Sequence, residues 1–310
     1  MTSNLAPVIL FVYNRPLHTK RTIENLQKNL FAENTELFIY SDEAKSKNDV
    51  LEVQKVRQYI KTISGFRNII IVERQQNFGL SKNIIDGVTD VISSYGKAMI
   101  LEDDLLTSPY FLKYMNGALD FYKNKEDIMS ISAYNHPPSI MKISADYNEQ
   151  IYFNYRNSSW GWGTWKNRWD MVDWNVEDFN EFKKDKIAQK RFNRGGEDLS
   201  DMLIAQMEGK IDSWAIRFTY AHFKHDKLSV CPCHSYVNNI GHDGTGEHCG
   251  KTDRYQNDLT KAPENIKFLK DVRINKEITN EFRKVYKKSL FSIIKKKISD
   301  FKHNYLMRHR

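Results

Sequence analysis

Cysteine is scarce in this 310-residue chain. The three present, Cys231, Cys233 and Cys249, are odd in number and imply no complete disulfide framework. Long apolar runs are missing too: no uninterrupted stretch approaches the roughly 20 residues that span a bilayer. The N-terminus has no basic region followed by a long apolar one, so no secretory signal is expected. No Gly-x-Gly-x-x-Gly follows the first apolar run, and the P-loop pattern occurs nowhere. A dinucleotide fold and a P-loop hydrolase are both disfavoured. Internal repeats and a linker between the halves are likewise missing. The expectation is a cytoplasmic protein with one continuous domain.

Positive charge is concentrated rather than spread. Residues 284–310 hold nine Lys or Arg against one acid, Asp300, an excess of eight that equals the whole chain's net charge of +8. The remaining body is close to neutral, whereas a nucleic-acid-binding fold needs a basic face. No nucleic-acid partner is therefore expected. Apolar residues at 290, 294, 298 and 301 recur at helical spacing around Lys295, Lys296 and Lys297. Two readings stand: a basic amphipathic helix lying on an anionic membrane surface, or a C-terminal helix packed on the body with solvated lysines.

What the chain does have is enough apolar material for a core: 40% hydrophobic residues, with 17 Phe and 16 Tyr. Strand-like runs lie at Pro7–Tyr13, Glu36–Tyr40, Asn68–Val72, Lys97–Leu101 and Ile128–Ala133. Helical spacing marks Leu17–Leu30, Val50–Ile63, Leu80–Ser94 and Pro109–Tyr122. This alternation predicts an α/β fold with a mostly parallel sheet covered on both faces. Asn14-Arg15, Asp42-Glu43 and Glu102-Asp103-Asp104 then leave the sheet at one edge, where open α/β sheets bind ligands.

The acidic triplet Glu102-Asp103-Asp104 is the most informative segment. Hard divalent cations take one or two carboxylates and complete their shell with substrate phosphates. The competing reading is an acidic turn before the helix that starts near Ser108-Pro109. Lys82-Asn83 opens the third helix after a glycine loop, as a solvent-facing start or as a ligand contact.

In the second half, residues 152–174 contain Trp160, Trp162, Trp165, Trp169 and Trp174, five of the six tryptophans. They pack a core or stack on sugar faces. Gly195-Gly196-Glu197-Asp198 precedes a helix at Leu199–Met207, so its acids are functional or simply the first turn. Asp212 lies in Ile211-Asp212-Ser213-Trp214, where burial beside Trp would raise its pKa. Residues 239–248 form a glycine-rich loop with His242 and His248, suited to closing over a ligand. Cys231, Cys233, His234, His248 and Cys249 could hold zinc, but the Cys-x-Cys spacing and strand-like alternation argue against it.

These residues resemble glycosyltransferases of the GT-A fold. The likeness is general to the family-2 group and closer to the N-acetylglucosaminyltransferase I type (family 13) and related bacterial sugar transferases. It covers roughly residues 7–250 and leaves the basic tail outside. Glu102-Asp103-Asp104-Leu105 resembles that family's variant of the DxD motif, which implies a metal, Mn2+ or Mg2+, at Asp104 and donor contacts at Glu102 and Asp103. Arg15 follows the first strand where the family places an arginine near the donor diphosphate, although Asn14 replaces an acid often seen before it. Asp42 stands where the family reads the base, usually uracil. The Asp212 segment is similar to the one carrying the catalytic aspartate, with Glu197 and Asp198 as runners-up through their likeness to the family-2 Glu-Asp pair. Cys231-Pro232 through Gly244 resembles the strand and loop that fold over the donor, and His242 or His248 is a candidate late metal ligand. Lys82 and Asn83 are candidate donor contacts.

The resemblance thus implies a metal-dependent, inverting glycosyltransferase. It would use a nucleotide sugar, UDP-linked, and a saccharide or glycolipid acceptor in surface polysaccharide or lipopolysaccharide synthesis. Residues 1–135 would bind the donor, 136–260 the acceptor, and 261–310 would form a basic helical tail, of which residues 284–310 are the candidate peripheral contact with the inner face of the cytoplasmic membrane. Two alternatives remain. A nucleotidyltransferase of similar fold lacks its usual glycine-rich basic loop here. A carbohydrate- or membrane-binding module with a tryptophan surface leaves the acids unexplained.

Overall fold

β-Branched and aromatic runs become buried strands, and the helical periods between them become the helices that cover the sheet. In a computed structural model, which describes residues 5–245 and 251–287, the first part follows the expected alternation. It runs β1 (Val8–Val12), α1 (Pro16–Gln27), β2 (Glu36–Ser41), α2 (Val50–Ile60), β3 (Asn68–Glu73), α3 (Leu80–Tyr95) and β4 (Lys97–Glu102). There follow β5 (Leu105–Thr107), α4 (Phe111–Tyr122), β6 (Ile128–Ser132), β7 (Ile151–Asn154) and β8 (Trp162–Trp165). The helices α5 (Lys166–Trp169), α6 (Phe179–Lys184), α7 (Lys186–Phe192), α8 (Leu199–Met207) and α9 (Trp214–Lys224) come next. The described chain closes with β9 (Leu228–Pro232), β10 (Val237–Asn239) and α10 (Lys276–Val285).

Eight strands form one sheet in the order β3-β2-β1-β4-β8-β6-β9-β7, and β5 pairs separately with β10. The run β3-β2-β1-β4 is parallel, as is β6 with β9. β8 is antiparallel to both its neighbours, and β7 is antiparallel to β9. The fold is therefore the mixed, mostly parallel α/β sheet that the sequence implies. Strand alternation divides the core between two faces. Val8, Leu10 and Val12 pack with α1, α2 and α4, whereas Ile9 and Phe11 pack with α3 and α9.

β7 and β8 are not marked by the strand signals used above. β8 is hidden in the tryptophan-rich segment, because its Trp-Gly-Thr-Trp sequence places one large ring on each face. Trp162 enters the core under α3 and α9, and Trp165 enters the core under α4. Gly163 lets α4 approach, since a Cβ there would lie 3.0 Å from both Met115 Cε and the Ala98 carbonyl. Such close packing leaves no room for even one methyl without movement.

The chain beyond residue 261 packs on the body as far as it is described. Phe268 lies among Tyr114, Phe121 and Tyr122, and Ile278 and Phe282 of α10 are buried with Met141, Tyr152 and Cys231. Residues 288–310, which carry most of the basic amphipathic pattern, lie outside the described residues, as does His248. Among the described residues no helix is long and apolar enough to cross a membrane.

Candidate active site

The parallel strands β1, β2 and β4 deliver Arg15, Asp42 and the acidic triplet to one sheet edge. β1 pairs with both β2 and β4 in parallel register, so their carboxyl ends coincide. Arg15 Nη2 donates to Asp103 Oδ1 and, at 2.9 Å, to Asp104 Oδ2. Thr22 Oγ1 of α1 donates to the Asp103 carbonyl at 2.7 Å and ties the triplet to the first helix. Charge-assisted bonds of this kind are about twice as strong as neutral ones, and they offset part of the desolvation of both partners.

Three acids against one guanidinium leave excess negative charge. Burial raises the Glu102 carboxyl to about 8, reinforced by Asp104 and Asp103 and opposed by Arg15. Burial also raises Asp103, to about 6, with Arg15 opposing. Desolvation lowers the Arg15 pKa, but Asp103 and Asp104 outweigh it and the net shift is upward. Asp103 Oδ2 is buried with no protein hydrogen-bond partner.

A second chain segment covers these acids. β10 pairs antiparallel with β5, immediately after the triplet, with Asn239 opposite Leu105. Ile240 N–H donates to the Asp104 carbonyl at 2.8 Å, and Asn239 Nδ2 approaches Asp104 Oδ1 at 3.4 Å. Gly241 then lies directly on the Asp104 carboxylate. A Cβ at this position would overlap Asp104 Oδ2 and come within 3.0 Å of Arg15 Nη1. The next residue, His242, has both ring nitrogens buried without a protein partner, and its ring lies between Trp160 and Tyr255. Asp243 reaches His18 Nε2 at 3.1 Å. The 239–243 loop is thus fastened over the triplet along its length.

Asp42 is more committed than the sequence suggests. Its carboxylate accepts from the backbone N–H groups of Glu43, Phe78 and Gly79 and from Asn77 Nδ2. Burial nevertheless raises its pKa, these hydrogen bonds opposing the shift. Asp42 therefore shapes the 77–79 loop. Asn83 is buried and accepts from Arg74 Nε at 3.0 Å, whereas Lys82 is exposed with its ammonium over the Phe78 ring. Of this pair, Lys82 is the one that reaches solvent.

Asp212 comes to the same edge by topology. β9 runs parallel to β6 and hence to β4, so the helix before it, α9, begins at the carboxyl edge. Asp212 Oδ2 lies 3.4 Å from the Ser81 N–H at the start of α3. The expected burial beside tryptophan is not found: Asp212 is exposed and lines a cleft of about 510 Å³ with Phe78, Lys82, Asp86 and Arg217. Trp214 turns inward to the core because Ser213 caps α9, its Oγ accepting from Ile216 N–H.

The runner-up acids occupy a different wall. Asp198 accepts from Arg156 Nη1 at 2.7 and 3.0 Å, and the Arg156 guanidinium lies 3.8 Å from the Tyr286 ring centre. Glu197 lines another cleft, with Lys142 and the α10 residues Glu277, Glu281 and Arg283. Arg15 with Asp103 and Asp104 forms one cluster, and these two acids form another.

Four of the six tryptophans belong to the core and form no binding surface. Trp162, Trp165, Trp169 and Trp214 are each at most 5% exposed, and Trp162 stacks on both Trp169 and Trp214. Cys231 is buried in strand β9, and no group of three His, Cys, Asp or Glu side chains suited to a metal converges among the described residues. Sequence reasoning missed the contacts of Asn239 and Gly241 with Asp104 and the pairing of Arg156 with Asp198. The glycine-rich loop was a visible signal for the first. Nothing local marks Arg156.

The chain is similar to two solved structures. The mannosyltransferase PcManGT from Pyrobaculum calidifontis, solved in complex with GDP-Man and Mn2+, is 11% identical, with a TM-score of 0.41 and coverage of 72% of this chain and 71% of that one. S. aureus TarS is 12% identical with a TM-score of 0.41, over 74% of this chain and 36% of TarS. No curated protein matches the chain. The sequence profile of the GNT-I family matches residues 1–193, which takes in β1 to β8, Arg15, Asp42 and the acidic triplet and stops before Glu197, Asp198 and Asp212. With that profile spanning more than half of its length, the chain belongs to the GNT-I family and is a glycosyltransferase.

Proposed function

We propose that this enzyme transfers a sugar from a nucleotide-sugar donor, UDP-linked, to a hydroxyl of a saccharide or glycolipid acceptor, with inversion and with a divalent metal, Mn2+ or Mg2+. The observation that carries this reading is the meeting of Arg15, Asp103 and Asp104 at the carboxyl edge of β1 and β4, under the 239–243 loop. The donor set fits a hard cation. It offers oxygen ligands in excess of positive charge, an unpartnered Asp103 Oδ2, and an Asp104 side chain that is 14% exposed. Asp104 would hold the metal, with His242 as a further ligand from the covering loop and donor phosphates completing the shell. His248 is the other candidate and lies outside the described residues. The metal, when bound, stabilises the negative charge that develops on the departing diphosphate.

The chain's own groups do the rest. Arg15 places a fixed cation beside the diphosphate. Asp42 holds the Asn77–Gly79 backbone in shape on the base side, and Lys82 reaches the donor from the start of α3. Glu102 and Asp103 orient the ribose or donor sugar. Asp212 is the general base: as the acceptor oxygen bonds to the anomeric carbon and the bond to the diphosphate oxygen breaks, its carboxylate takes the hydroxyl proton. A single displacement of this kind inverts the anomeric centre. Asp198 is committed to Arg156 and Glu197 opens onto a separate cleft, which makes them second choices. The setting in surface polysaccharide or lipopolysaccharide assembly, at the inner face of the cytoplasmic membrane, rests on the family resemblance and the basic residues 284–310.

The test is calorimetry of a nucleotide-sugar panel with and without manganese. One donor should bind only with the metal, and Asp104→Ala should abolish that binding. Metal-independent binding, or binding unchanged in Asp104→Ala, overturns the reading.

A further inference from the structure

Of the tryptophans clustered in sequence, Trp160 behaves differently from the core rings. It is partly exposed, lies on the loop between β7 and β8, and packs at the edge of the core rather than inside it. Its ring meets Tyr134 at 4.5 Å, His242 at 5.4 Å and Tyr255 at 5.9 Å, all edge-on, and His242 and Tyr255 lie 5.1 Å apart. Asn257 Nδ2 donates to the Asn135 carbonyl at 2.9 Å and pins the segment that carries Tyr255 to this wall. The cluster is one residue from Gly241, which rests on Asp104.

We infer that Trp160 and Tyr255, backed by the buried Tyr134, form the platform for the acceptor sugar, on the side of Asp104 away from Asp42. The inference rests on the transferase reading above and names the substrate class of that site. Three observations carry it. A transferase must seat the acceptor hydroxyl beside the donor's anomeric carbon, hence beside the diphosphate and Asp104. The apolar face of a hexopyranose stacks on aromatic rings, and Trp160 and Tyr255 are partly exposed rings next to the loop that covers Asp104, with Tyr134 buried behind them. Polar capacity is available in the same place: both His242 nitrogens lack a protein partner, and so do both amide atoms of Asn157, a 95% buried residue on the Trp160 loop. Buried polar groups left without partners are few in folded proteins and call for a ligand or water. Trp160 and Tyr134 lie within the family match at residues 1–193 and Tyr255 beyond it, so the platform joins a matched part of the chain to an unmatched one.

The test uses the full-length protein and p-nitrophenyl glycosides of β-glucose, β-galactose, β-N-acetylglucosamine and α-mannose, read by saturation-transfer NMR and tryptophan fluorescence. At least one glycoside should bind. Trp160→Ala and Tyr255→Leu should each weaken it tenfold or more, and Trp160→Phe, which keeps a ring, should weaken it less. UDP binding with manganese, measured separately by calorimetry, should stay within twofold in all three variants. This second measurement also certifies that the variants fold. Glycoside affinity unchanged in Trp160→Ala and Tyr255→Leu, or no glycoside bound by the wild type, overturns the platform. Failure of UDP to bind the wild type overturns the donor reading instead, and leaves the platform to be judged on the glycosides.

Discussion

β1 to β4 run parallel to one another, β1 to β3 each hand over directly to a helix, and the candidate side chains stand where the strands end. From β6 to β9 an antiparallel strand is inserted, helices follow in short pieces, and the polar groups come from loops distant in sequence. Arg15, Asp42 and Asp104 are placed by strand ends alone. Asp212, Asp198, Trp160 and His242 are placed by the way α9, α10 and the β10 loop return to the sheet. The edge that carries Arg15, Asp42 and Asp104 is thus a product of local pattern, and the part that carries Asp212, Asp198, Trp160 and His242 is a product of chain return.

The largest expected effect falls on the donor side. Asp104→Ala should lower kcat/KM about a thousandfold, roughly 4 kcal/mol of transition-state stabilisation, as electrostatic groups of this kind typically supply. A loss under tenfold would break the comparison, because the strand-end acids would then be structural. On the acceptor side, Asp212→Asn should lower kcat about a hundredfold or more with donor affinity retained, and Asp198→Asn should act mainly through stability as Arg156 loses its partner. The reverse pattern, seen by comparing kcat with thermal unfolding, would move the base to the Gly-Gly-Glu-Asp segment.

Two tryptophans two residues apart sharpen the contrast. Trp162→Ala should cost about 3–5 kcal/mol in urea unfolding, because a fully buried ring leaves a cavity. Trp160→Ala should cost distinctly less, since its ring is partly exposed. Equal costs would place Trp160 in the core.

A smaller effect tests the buried histidines of the acceptor half. Burial lowers both His136 and His222 to about 4. The unfolded chain protonates them near pH 6.5, so it binds more protons than the folded state between about pH 6.5 and 4. Stability must then fall as pH drops through that window, by about 2 kcal/mol for each histidine between pH 7 and 5. His222 accepts this environment because Ser130 Oγ and the Phe218 carbonyl engage its ring at 2.8 Å each. A urea midpoint independent of pH in that range would show that neither ring is held neutral.

Legibility followed the same division. The β1–β4 strands and their exits could be read because parallel strands buried on both faces appear as continuous apolar runs, and polar residues mark their ends. β8 could not be read as a strand, because four residues carrying two tryptophans and a glycine look like a ligand loop until β4 and β6 are placed on either side. Asp212 lies at the carboxyl edge of the sheet but is exposed, not buried as its sequence neighbours suggested. Its own segment contains Trp214, yet the Ser213 cap turns that ring inward and leaves the acid outside. Asp42 was visible as a strand-end acid, while three of the four donors that occupy its carboxylate come from the 77–79 loop, distant in sequence.

By itself the sequence determined the α/β alternation, the order of the donor-side strands and the acids at their ends, because hydrophobic periodicity and strand-end polarity are local properties. Only the tertiary structure decided which tryptophans are core and which are partly exposed. It also decided that Arg15 pairs with Asp103 and Asp104, and that Gly241 rests on Asp104. Those contacts join residues separated by 88, 89 and more than a hundred positions, and no local preference encodes them.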